Sequence, residues 1–87
     1  MYHILFFSAS WCPQCQITKP ACISAAAYYK WIFEEVDAEN AKNDSLMHKH
    51  DIQTLPTIVI LKDGAEIYKS FGLKNTKILV DEFASLL

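Results

Sequence analysis

The chain has 87 residues, of which 52% are hydrophobic and 21% charged, with a formal net charge of −2. That length holds one domain, residues 1–87, with no room for a second, and the apolar fraction supplies a core without cross-linking. A pI near 5.8 offers no basic field for nucleic acid, and no apolar run reaches membrane-spanning length.

The three cysteines are odd in number and two of them form one close pair, so they do not read as a disulfide scaffold. The chain opens with Met1-Tyr2-His3 and enters a strand-like run without a basic leader or cleavage site. A cytoplasmic, reducing setting and a monomer are the default expectations, with no nucleic-acid or membrane partner.

Ile4-Leu5-Phe6-Phe7 is a short continuous apolar run, suited to a central strand covered on both faces. Ser8-Ala9-Ser10 forms a small-residue loop, and Trp11-Cys12-Pro13-Gln14-Cys15 follows it. Cys12 stands where a helix N-cap would stand, and Pro13 is a good first helical residue because its missing N–H is not needed there. The helix then aims unpaired N–H groups and the positive end of its dipole at the Cys12 sulfur. That favours thiolate, the reactive form. A thiol with a pKa of about 8.5 is only a few per cent thiolate at pH 7, whereas one lowered to about 7 is roughly half ionised, for about 2 kcal/mol of differential stabilisation. Cys15 lies on the same side of the first turn, placed to close a disulfide with Cys12 or to attack a mixed disulfide formed there.

The helix runs on to Tyr29 and is expected to be interrupted by a kink at Pro20, with Ile17, Ala21, Ser24, Ala25 and Tyr28 on one face. Trp31 to Val36 predicts a second strand ending at Asp37, parallel to the first through a right-handed crossover. Asn43, Asp44 or Ser45 caps a short helix carrying Leu46 and Met47. Ile58-Val59-Ile60-Leu61 predicts a third strand, Lys62-Asp63-Gly64-Ala65 a hairpin turn, and Ile67, Tyr68 and Phe71 a partner strand that ends at Gly72. Asn75 caps a last helix with Ile78, Leu79, Phe83 and Leu86 inward. The order β-α-β-α-β-β-α gives an α/β fold: a four-stranded mixed sheet, spatial order 2-1-3-4, with helices on both faces. The cysteine turn then lies at the carboxyl end of a central strand, where such sheets place their sites.

Each candidate has a plainer reading. Cys12 and Cys15 are otherwise half a zinc site, but such a site needs about four ligands, and Cys22 and the three histidines show no paired metal-ligand spacing with them. Cys22 reads as a buried, inert thiol. His48-Lys49-His50 reads as solvated helix-end residues, and Glu34-Glu35 and Asp37-Ala38-Glu39 as a solvated acidic edge whose functional alternative is docking a reductase. Trp11 beside an exposed nucleophile reads as an apolar contact for a partner.

At this point the sequence resembles the thioredoxin family over most of its length. Trp11-Cys12-Pro13-Gln14-Cys15 resembles the family's active-site turn, Pro20 the kink of its helix, and Val36-Asp37 the end of its second strand. Leu55-Pro56-Thr57 resembles the loop whose cis proline faces the cysteines, and Lys62-Asp63-Gly64 with Phe71-Gly72 resembles the hairpin and the glycine that completes the substrate groove. The resemblance implies a dithiol–disulfide oxidoreductase that needs no metal or organic cofactor: catalytic Cys12 and Cys15, and substrate contacts at Trp11, Pro13, Gln14, Leu55, Pro56 and Gly72. It also implies that the Leu55 backbone pairs with an extended substrate strand beside Cys12. The implied partners are disulfide-containing proteins, with ribonucleotide reductase as one acceptor by analogy, and a flavin-dependent thioredoxin reductase as donor.

The chain departs from the family pattern in three places. It starts at the active-site strand, giving a short, glutaredoxin-sized layout without the usual first strand and helix. Phe6 and Phe33 stand where thioredoxins carry a buried Asp and a Lys, so water or another carboxylate is expected to serve the resolving thiol. Gly72 is followed by Leu73 and Lys74, an incomplete match to the glutathione clamp of glutaredoxins. The alternatives are a glutathione-dependent glutaredoxin and a non-catalytic binding module that uses the same groove.

Overall fold

A computed structural model describes residues 1–87. Four strands, β1 (Tyr2–Ser8), β2 (Ile32–Asp37), β3 (Thr57–Lys62) and β4 (Ala65–Phe71), form one sheet in the order β2-β1-β3-β4. The helices are α1 (Pro13–Tyr29), α2 (Asp44–Lys49) and α3 (Thr76–Ala84), with a short 3-10 turn at Ala41–Asn43 ahead of α2. β1 pairs parallel with β2 and antiparallel with β3, and β3 pairs antiparallel with β4. This is the expected topology, and strand alternation explains its two layers. Ile4 and Phe6 face α1 and α3 in a cluster with Cys22, Ala25, Leu79 and Phe83. Leu5 and Phe7 face the other way, with Val36 and Val59, and are covered by Leu46, Met47 and Ile52.

Local chemistry sets the element ends. Asn75 Oδ1 accepts the Ile78 N–H at 2.8 Å, capping α3 as expected. The β3–β4 turn takes positive φ at both Asp63 (53°) and Gly64 (89°), a conformation that Asp and Gly tolerate best. α1 stops where Lys30 turns left-handed, at φ 60°, and Trp31 N–H then donates to Ala26 O at 2.9 Å. Trp31 lies just outside β2 and stacks on Tyr2, with ring centroids 4.3 Å apart, and on Tyr29, 4.8 Å apart.

Three expectations about the helices and their ends are corrected. α1 is one continuous helix through Pro20 rather than an interrupted one; Pro20 and Gln16, four residues before it, are both exposed, so solvent takes the place of the missing donor. The inward face of α1 is Cys15, Thr18, Cys22, Ala25 and Ala26, whereas Ile17, Ser24 and Tyr28 point outward. Apolar residues occur on both sides of this helix, so hydrophobicity alone does not orient it. On α3, Leu79 and Phe83 are fully buried but Ile78 is exposed at the surface, and Leu86, just past the helix end, is half-buried.

His50 also departs from the sequence reading. It is buried rather than solvated, packs on Phe7, and holds Glu66 Oε1 through Nδ1 at 2.6 Å. Its Nε2 is buried without a hydrogen-bond partner.

Candidate active site

The ends of all four strands meet at one edge of the sheet. Phe7 pairs with Val36 and Thr57, and Thr57 pairs with Phe71. The loops leaving these ends therefore lie side by side: residues 9–12 after β1, Leu55-Pro56 before β3, and Gly72 after β4.

Cys12 is extended (φ −96°, ψ 106°) and caps α1, with Pro13 in the first helical turn. Its Sγ accepts the Cys15 N–H at 3.2 Å, which satisfies one of the donors left open at a helix start. Cys12 and Cys15 are joined as a disulfide, with Cα atoms 5.2 Å apart. Both are buried in this oxidised form, each 2% exposed, so Cys12 is not the exposed atom expected from the sequence. Trp11, at 67% exposure, stands out from the surface beside it, and Pro13 and Gln14 are also exposed.

Across the edge, the Leu55–Pro56 bond is cis and Pro56 is buried. Leu55 packs against the apolar cluster that contains Cys12 and Cys15. Gly72 has φ +83° and donates its N–H to Pro56 O at 3.0 Å, tying the third loop to the second. Open space surrounds the position of its missing Cβ, so the glycine is required by its backbone angle and not by crowding.

The acidic segment of β2 is not merely a solvated edge. Glu39 Oε1 accepts both the Ser10 N–H, at 3.0 Å, and the Ser10 hydroxyl, at 2.8 Å, and these bonds hold its carboxyl below the usual range. Gln16 Nε2 reaches Ser10 O at 3.2 Å from the helix side. Glu35 accepts the Ser8 hydroxyl at 2.7 Å and pairs with Lys19 Nζ at 2.7 Å. The Lys19 contact is the main cause that lowers the Glu35 pKa, helped by Ser8 and opposed by partial burial. The β1–α1 loop is thus fastened to β2 on one side and to α1 on the other. The signal for Glu35 was its alternation with Asp37 at the end of β2, a strand period that sets both on one face; Glu39 lies in the turn beyond the strand.

The thioredoxin family model matches residues 1–85. The chain belongs to the thioredoxin family. Similar proteins include an H-type thioredoxin of Oryza sativa subsp. indica, 32% identical over 73 residues, which span 83% of this chain and 58% of that one. A thioredoxin of Staphylococcus aureus is 27% identical over 75 residues, 86% of this chain and 72% of its own length. Among solved structures, thioredoxin-2 of the malaria parasite's protein secretion machinery is 25% identical with a TM-score of 0.85, over 98% of this chain and 82% of that one. A mutant thioredoxin of Halobacterium salinarum shares the fold at a TM-score of 0.85 and 24% identity, over 97% of this chain and 73% of that one. Family membership carries thiol–disulfide oxidoreductase chemistry with it, and the C-x-x-C turn supplies a bonded cysteine pair for that chemistry. Thioredoxins generally act on protein disulfides and are served by thioredoxin reductase.

Beneath this site, Phe6 and Phe33 occupy the positions where the resemblance set a buried Asp and a Lys. Their rings lie 6.0 Å apart in the α1–α3 cluster, an aromatic contact in place of a charged pair.

Proposed function

We propose that this thioredoxin reduces disulfides in other proteins through Cys12, with Cys15 as the resolving thiol. The Cys12 thiolate attacks one sulfur of the substrate disulfide; a Cys12–substrate bond forms and the substrate S–S bond breaks. Cys15 then attacks Cys12 Sγ, releases the second substrate thiol and leaves Cys12–Cys15 oxidised. The observation that supports this best is the cap: Cys12 Sγ accepts a backbone N–H at the start of a 17-residue helix, and its partner sulfur is one turn away. A group that accepts this bond as a neutral sulfur accepts it more strongly as an anion.

In the same proposal, Trp11, Pro13, Gln14, Leu55, Pro56 and Gly72 contact the substrate. Their support is placement: loops from neighbouring strand ends surround the cysteine pair, and Leu55 spends neither its N–H nor its C=O on the chain's own backbone bonds. Those groups are free for an extended substrate segment. We further propose a flavin-dependent thioredoxin reductase as donor, a monomer as the working form, and the cytoplasm as the setting. No helix is long and apolar enough to cross a membrane.

The deciding assay offers the oxidised protein two electron sources with a protein disulfide such as insulin as acceptor. Turnover with NADPH and thioredoxin reductase, abolished by Cys12→Ser, is the expected result. Turnover with glutathione and glutathione reductase alone would instead assign a glutaredoxin-type role. Partner function that survives Cys12→Ser would assign a binding module.

A further inference from the structure

Resolution requires Cys15 to part with a proton as its sulfur attacks Cys12, and on one side it packs in the apolar cluster with Phe6, Cys22 and Ile58. Cys15 has another neighbourhood. It lines a cavity of about 260 Å³ together with Ser8, Gln16, Lys19, Glu35 and Asp37. Lys19 follows Cys15 by four residues, one helical turn along the same side of α1. The charged groups facing this space are Lys19 from α1 and Glu35 and Asp37 from β2; β1 contributes only the Ser8 hydroxyl, and Glu39 is engaged by Ser10 just beyond.

Lys19 Nζ and Glu35 Oε1 are 2.7 Å apart, and Ser8 fixes the other Glu35 oxygen at 2.7 Å. The pair is therefore held, and each charge offsets part of the other's field in the cavity. Removing either one leaves the other uncompensated beside the thiol. A cation there favours the thiolate and an anion opposes it.

Resting on the two-cysteine reading above, we propose that the Lys19–Glu35 pair sets how readily Cys15 ionises in the resolving step, with Lys19 promoting the thiolate and Glu35 holding that effect in check. The proton leaves Cys15 Sγ for solvent through the cavity. The Sγ electron pair forms the bond to Cys12 as the Cys12–substrate bond breaks, and the departing substrate thiolate takes a proton from solvent. Both residues are positioning residues: neither touches the reacting sulfurs.

The test is the titration of Cys15, followed by its 13Cβ shift in reduced Cys12→Ser protein, where Cys22 does not interfere because burial pushes its thiol up to about 12. The pair is partly exposed, at 42% and 38% of the two side chains, so the expected effects are moderate. Glu35→Gln lowers the Cys15 midpoint by about half a unit to one unit, and Lys19→Gln raises it by a similar amount. The double variant falls between them, and 1 M salt shrinks both shifts. In the two-cysteine protein, stopped-flow release of substrate thiol at pH 7 speeds up in Glu35→Gln and slows in Lys19→Gln. Equal midpoints in all four proteins, or shifts of the same sign in both single variants, overturn the inference. A wild-type chain that reduces no disulfide while its midpoints still separate would overturn the functional reading and leave the Lys19–Glu35 coupling to Cys15 standing.

Discussion

The backbone N–H of Cys15 points at the sulfur of Cys12 from 3.2 Å, so each cysteine of the pair helps to place the other. The bond also predicts selective reactivity. In the reduced protein, Cys12 alkylates with iodoacetamide about tenfold faster at pH 6.5 than an unperturbed thiol, because its thiolate fraction is larger. Cys15 and Cys22 lag behind it. Mass spectrometry of the three labelled cysteines after a short pulse reads this directly, and equal labelling of Cys12 and Cys15 would contradict it. Cys15→Ser protein, with attack intact and resolution lost, accumulates a one-to-one mixed disulfide with its substrate.

Cys22 predicts an alkaline loss of stability. Burial raises its thiol from 9.0 to about 12, so between those values the unfolded chain has lost a proton that the folded chain retains. The unfolded state binds fewer protons there, and stability falls as pH rises. The contribution is fully present below pH 9 and declines by up to about 1.4 kcal/mol per pH unit above it. Urea titrations at pH 8 and 10.5 check this: Cys22→Ala loses less stability between the two than wild type. Tyr68, whose hydroxyl is also raised by burial and by Glu82, adds a slope of the same sign that both proteins share.

His50 and Glu66 predict an asymmetry between partners. Glu66→Ala leaves the buried His50 Nδ1 without its 2.6 Å contact while Nε2 is already unpaired. We expect a loss of about 1–3 kcal/mol at neutral pH. His50→Met, which removes both ring nitrogens at once and keeps an apolar group against Phe7, costs less. Chemical denaturation of the two variants compares them, and a larger loss for His50→Met would be evidence against a desolvation penalty at this site.

Lys30 predicts a gain. It closes α1 in the left-handed region at φ 60°, where a side chain is disfavoured and glycine is at ease. Lys30→Gly is expected to stabilise the protein by up to about 1 kcal/mol, visible as a higher denaturation midpoint with an unchanged slope. Lys30→Ala, which keeps a Cβ at the same angle, gives no such gain.

Where the sequence could be read correctly, the cause of the structure lay within a few residues. Asn75 caps the residue three positions on, Asp63-Gly64 turns on its own φ angles, and Cys12-Pro13 carries its own helix start. The order of strands followed from the element order, a crossover-joined parallel pair and then a hairpin. The inward face of α1 was misread because Thr18, small and weakly polar, goes inside while Ile17 and Tyr28 stay out; Cys22 is buried, as its thiol was read. His50 was misread, and the partners of the exposed Glu35 and Glu39 were missed, for a different reason. Their partners Lys19, Ser10 and Glu66 lie 16 to 29 residues away in sequence, and only the folded sheet brings them together.

The two tryptophans sit at opposite ends of the sheet. Trp31 is clamped between Tyr2 and Tyr29 beside the first residues of β2, while Trp11 stands in solvent next to the disulfide. One indole is therefore half-buried between stacked rings, and the other is open to quenchers and close to sulfur. Acrylamide added to the native protein should quench Trp11 more strongly than Trp31, so a single emission trace resolves into an optical gauge of the redox pair and a separate gauge of unfolding.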